Sequence, residues 1–147
     1  MGILLAIVFV AGAQNGVDSR GDHAMGFSHE QTTHHFRLLK EGGAIEIQAN
    51  DATDTASRDA IRMHLSHIAK MFSDGNFDAP MFIHDRVPPG VPAMKRLKKE
   101  IHYHFETTAG GGRVTITSAN AAAIAAVHDF LKFQITDHRT GDPLTVP

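Results

Sequence analysis

The sequence predicts an α+β fold of duplicated ββα units, forming a four-stranded antiparallel sheet with two long helices on one face. Three observations predict it. Two stretches alternate apolar and polar residues around a glycine turn: His35 to Gln48 around Glu41-Gly42-Gly43, and Ile101 to Thr117 around Gly110-Gly111-Gly112. Glycine supplies the backbone freedom that tight hairpins need. Each hairpin leads through a capping sequence into a helical stretch, Ala56 to Phe72 after Asn50-Asp51 and Ala121 to His138 after Ser118-Ala119-Asn120. The helices align without gaps, Ala60-Ile-Arg-Met-His-Leu-Ser-His-Ile on Ala126-Val-His-Asp-Phe-Leu-Lys-Phe-Gln, and both stop at a glycine with a polar residue behind it.

In chain order, Ile3 to Ala13 is an apolar run of eleven residues ending in the small-x-small pattern Ala11-Gly12-Ala13. It reads as a signal peptide over residues 1–13, cleaved near Gln14, which implies a periplasmic or secreted protein with no stable membrane insertion after cleavage. A bilayer span needs ~20 apolar residues. No Lys or Arg precedes the run, so the true start codon stays open. Residues 14–26, rich in Gly, Asp, Ser and Asn, read as a flexible arm. Residues 27–147 form a single domain: one ββα repeat over 34–75, a Pro-rich connector over 76–99 and a second repeat over 100–142. Within the connector, Met81-Phe-Ile-His84 reads as a short edge strand. The prolines at 88, 89 and 92 mark a rigid surface loop, and Val91 to Lys99 is helical.

Period-two alternation puts Phe36, Leu38, Ile45, Ile47, Ile101, Tyr103, Phe105, Val114 and Ile116 on one sheet face. Helical spacing adds Ile61, Leu65, Ile68 and Phe72 from the first helix, and Ile124, Val127, Leu131 and Ile135 from the second. Those sets close one core. The opposite face carries His35, Arg37, Glu46, Gln48, His102, His104, Glu106, Arg113 and Thr115.

The 147 residues carry a net charge of −2 with histidine neutral, no cysteine and eleven histidines. The charge gives no basic footprint for nucleic acid. The absence of cysteine excludes disulfides, a lipid-modified cysteine and thiolate sites. Clustered histidine without cysteine points instead to nitrogen and oxygen ligation of zinc, copper or nickel. On an open strand, His102 and His104 point the same way with Cα atoms ~7 Å apart, a spacing suited to one ion with His35 as a third ligand. The competing reading is that an open antiparallel face needs polar residues anyway.

A second constellation is His64 and His67 with Met71 on the first helix, followed by Met81 and His84. Imidazole and thioether together suit copper, although methionine is more often core filler. The third is His29 and His34 in the segment Met25 to Phe36, a loop dense enough in His and Thr to close over the His102–His104 face. His128 and His138 face the core, where hydrogen-bonded packing is the usual role. Phe130 and Phe133 point away from it and are a candidate homodimer contact. No His-Glu-x-x-His, Gly-x-Ser-x-Gly or phosphate-binding glycine loop is present.

Met25-Gly-Phe…Thr-Thr-His-His-Phe36, the strand Gly42-Gly-Ala-Ile-Glu46, Ala79-Pro-Met-Phe-Ile-His-Asp85 and Phe133-Gln-Ile-Thr-Asp-His-Arg-Thr-Gly-Asp142 together resemble an uncharacterised family of small secreted bacterial proteins. The resemblance spans nearly the whole chain after the apolar run. Its members sometimes bear a carbamoyltransferase label, but this chain is too short for a two-domain transferase and lacks the Ser-Thr-Arg-Thr phosphate motif. The family therefore brings no catalytic residues.

The expectation is a secreted or periplasmic His-rich protein that binds copper or zinc, through His35, His102 and His104 first and His64 and His67 second. The rival expectations are a small-molecule enzyme using His35, His102 and Glu106 as acid and base, and a non-catalytic homodimeric interaction module.

Overall fold

The computed structural model describes residues 9–147. Residues Ile3 to Val8 of the apolar run lie outside the described residues. The elements are α1 (Phe9–Met25), β1 (Thr32–Leu39), β2 (Gly42–Ala49), α2 (Thr55–Ser73), α3 (Asp78–His84), α4 (Val91–Arg96), a 3-10 turn (Lys98–Glu100), β3 (Ile101–Thr107), β4 (Gly111–Ser118) and α5 (Ala121–His138). The predicted α+β fold stands: four antiparallel strands in the order β1-β2-β4-β3.

The duplication is visible in the register. Gly42 pairs with Thr117 and Gln48 with Gly111, so the two central strands meet about a local two-fold axis. Both long helices begin at a side-chain cap. Asp54 accepts from the Ser57 amide, and Asn120 from the amides of Ala122 and Ala123, each offsetting amides that lack a helical partner.

The packing interlocks the repeats. Helix α2 lies mainly over β3 and β4, and α5 over β1 and β2, so each helix covers the other unit's hairpin. Neither unit can bury its own sheet alone, which makes the two one cooperative core. Ile61, Leu65, Val114, Ile116, Val127 and Leu131 are its fully buried centre. The connector adds Phe77, Val91 and Met94, all at most 1% exposed. Gly90, at φ 81°, passes so close to α5 that a Cβ would sit 2.1 Å from the Ala126 carbonyl oxygen, and no other residue fits there.

Three expectations are corrected. Residues 14–25 are not a flexible arm but belong to α1, whose Val17 is buried and whose Arg20 Nε donates to the Ile83 carbonyl at 2.8 Å. Small and acidic residues concealed a helix held by tertiary packing. Met81–His84 is the end of helix α3, not an edge strand: Pro80 falls in the first turn, where a missing amide costs nothing. Phe130 does not point away from the core but is 1% exposed, edge-on to Phe72 at 5.8 Å and Phe77 at 6.1 Å. The connector packs on that side of α5, which periodicity against the sheet alone cannot show. Among the described residues no helix is long and apolar enough to cross a membrane.

Candidate functional site: a buried histidine cluster

The open sheet face carries the polar set the alternation assigns to it. Glu46, in the middle, accepts from Arg37 Nε at 3.1 Å and Arg113 Nε at 3.0 Å, and Arg113 reaches Glu106 at 3.4 Å. The strand order separates the expected ligands. His35 is on edge strand β1 and His102 and His104 on edge strand β3, with β2 and β4 between. Three strand spacings of ~4.8 Å put the two edges roughly 14 Å apart, too far for one ion. His35 is instead committed to the C-terminal segment: its Nδ1 donates to Asp142 at 2.8 Å, and the Phe36 amide donates to the other oxygen at 3.0 Å. Burial opposes charge on Asp142, but these donors and Thr140 hold its pKa below the usual carboxylate value.

The same separation removes His35, His102 and Glu106 as one acid–base set. His102 and His104 remain an exposed pair on β3. The segment around His29 does not close over them, because it lies at the β1 edge. His29 is bound to Asp22 at 3.0 Å and lies 3.7 Å from Asp18. Burial works against its charge, but Asp22, Asp18 and Glu30 keep its pKa above the ordinary value. His67 is exposed while His64, one turn earlier, turns inward. His128 fulfils the packing role, its Nε2–H donating to the Leu39 carbonyl at 2.8 Å.

What the fold brings together is a different set. Parity along β1 puts His34 on the core face with Phe36 and Leu38, where its ring meets Phe27 at 6.0 Å and Phe36 at 6.5 Å. His138, at the end of α5, lies parallel to His34 with centroids 6.0 Å apart and an interplanar angle of 2°. His84, at the end of α3, meets His138 edge-on at 4.9 Å. His64 on α2 meets Phe27 edge-on at 5.7 Å. The last residue of α1 completes the group: His34 Nε2 lies 3.4 Å from Met25 Sδ.

These side chains, with Gln134, line a cavity of about 60 Å³ whose remaining walls include Phe36, Ile47, Leu65 and Ile68. Met25, His34 and His138 also form one wall of a larger polar cleft of about 280 Å³, lined further by Asp18, His29, Thr33 and Thr140. They therefore stand between a largely apolar pocket and a more polar cleft.

Burial holds the imidazoles neutral. It lowers the His34 pKa to about 3, helped by His138 and His64 nearby. It lowers His64 to about 4, with His67 adding, and His138 to about 4, with His84 adding and Asp137 opposing. A neutral imidazole keeps a free nitrogen lone pair, the form in which histidine binds metals. His84 lies against the Asp137 carboxylate through Nδ1 and against the Gln134 side-chain amide through Nε2, the latter at 2.9 Å. Gln134 is 4% exposed, and its Nε2 has no partner. Among the described residues, no three His, Asp or Glu side chains converge as a preformed metal centre.

Gln134 is unassigned by the sequence, which gives His138 a core-packing role, sets His84 beside His64 and His67, and gives Met25 only as the start of the His29–His34 segment. Gln134 and His138 continue the stripe Val127, Leu131 at helical spacing, and that signal was available. No family model, curated protein or solved structure matches the chain.

Proposed function

We propose that the protein is a secreted or periplasmic His-rich carrier of a transition metal, and that the ion is copper(I), held between His34 Nε2 and Met25 Sδ. The observation that carries this reading is their 3.4 Å separation on the wall between pocket and cleft. Nitrogen and sulfur ligands lie roughly 2.0 and 2.3 Å from such an ion, so two atoms at that separation subtend close to a tetrahedral angle. Thioether sulfur is a soft ligand that selects copper(I), and imidazole accepts it equally. His64 and His138 stand beside the pair as further ligands reached by rotating their rings. Zinc fits less well, because its structural sites take four ligands in fixed geometry.

The secreted address rests on the apolar run and its small-x-small end. The polar cleft, whose lining includes Asp18 and His29, supports an entry path for a cation. An acid–base enzyme on the open face loses support with the separation of His35 from His102 and Glu106. A homodimer through Phe130 loses it with the burial of that ring.

The test is anaerobic titration of copper(I) against a chromophoric chelator. The wild type should hold one ion per chain. His34→Ala and Met25→Leu should each weaken binding at least tenfold, about 1.4 kcal/mol, while His102→Ala with His104→Ala changes it less than twofold. Loss of binding in the β3 double variant alone would reject the site.

A further inference from the structure

We infer that the outer edge of β3 pairs antiparallel with β3 of a second copy of this chain, joining the two sheets across a two-fold axis at His104. The two edges of the sheet differ. At β1 the C-terminal segment covers the edge: Asp142 accepts from the outward Phe36 amide at 3.0 Å, and Pro143, Thr145 and Pro147 lie beside Arg37, Leu38 and Leu39. At β3 the ladder to β4 uses the even-numbered residues, continued by the mutual bonds of Thr108 and Gly111 at 3.0 and 3.4 Å. The N–H and C=O groups of Tyr103, Phe105 and Thr107 therefore point outward. Among the described residues nothing bonds to them. Such an edge is a template for another strand unless proline, lysine or a bulge blunts it. β3 has none of the three.

The sequence of β3 selects the occupant, because the strand complements itself. In full antiparallel overlap Ile101 stands opposite the partner's Thr107, and Tyr103 opposite the partner's Phe105. Every outward residue then exchanges two hydrogen bonds, about eight in all. On the open face His102 stands opposite the partner's Glu106, and the two-fold axis repeats the pair. Both side chains are exposed, so imidazole meets carboxylate with no change in the monomer. On the core side the Tyr103–Phe105 pairs are aromatic cross-strand contacts. Sliding the strands by two residues either way shortens the ladder and breaks both His102–Glu106 pairs.

The test is sedimentation equilibrium of the full chain in EDTA, which removes any ion bridging surface histidines. Cysteine cross-linking goes with it, in a protein that has no cysteine of its own. The wild type should have a two-chain mass at micromolar concentration. His104→Cys places two thiols at the axis with Cα atoms ~4.5 Å apart, inside the disulfide range of about 4.4–6.8 Å, and should cross-link under mild oxidation. His102→Cys puts them ~13 Å apart along the strands and should not. His102→Glu should weaken the dimer on the order of tenfold, and adding Glu106→Lys should restore it. A single-chain mass for the wild type would overturn the inference, as would a dimer that His104→Cys fails to cross-link.

Discussion

Phe130→Ala should destabilise the protein by ~3–5 kcal/mol, the cost of emptying an aromatic site in a packed core. The ring is 1% exposed and is held edge-on by Phe72 and Phe77, which themselves stack at 4.4 Å. Such aromatic contacts add ~0.5–1.5 kcal/mol beyond area burial. Total stability for a domain of this kind is ~5–15 kcal/mol, so the variant should sit near its unfolding threshold. Phe133→Ala, three residues on, should cost far less. That ring is half-buried, against His84 at 4.9 Å and under the Arg86 guanidinium at 5.4 Å. Urea unfolding of the two variants checks this directly. Similar losses in both would mean that α5 does not present Phe130 to the connector.

Mild acid should weaken the fold well before carboxylates titrate. His34, His64 and His138 have native pKa values of about 3, 4 and 4 against an ordinary 6.5. The unfolded chain therefore binds protons that the folded one refuses, and stability falls as pH drops from about 6.5 toward 4. The gap for His34 alone corresponds to on the order of 5 kcal/mol once it must charge inside the fold. His29 opposes this, since its raised pKa favours the folded state at low pH, but it is exposed and its contribution is small. Asp51, Asp54 and Asp142, whose pKa values are lowered, lose their contribution only at lower pH. Denaturation midpoints between pH 7 and 5 isolate the histidines. A steep decline that flattens in His34→Leu is the expected result, and a flat profile in the wild type would show that these histidines take up protons as readily in the fold as in the unfolded chain.

The sheet, its alternation and both long helices were legible because each element carries its own period and its own punctuation. The strand order was not. Two ββα units can join through β2 and β4 or through β1 and β3, and the apolar alternation is the same in either case. That choice separates His35 from His102 and His104, so a ligand set read from one shared face was undetermined at the step that mattered. The buried cluster was legible in part. His34 shares parity with Phe36 and Leu38, and His138 follows Leu131 and Gln134 on one helical stripe. The placement of Met25 and His84 was not legible, because α1 packs against both α3 and α5 and neither short segment carries a helical period of its own. Their composition, glycine and aspartate in one and proline in the other, argues locally against helix.

X-ray absorption at the copper edge of the copper(I)-loaded protein distinguishes an ion held between the Met25 thioether and the His34 imidazole from one held elsewhere. One sulfur scatterer at ~2.3 Å with nitrogen scatterers at ~2.0 Å, the sulfur lost in Met25→Leu, is the predicted result. A shell of nitrogen and oxygen alone, unchanged by Met25→Leu and lost with His102 and His104, would contradict it.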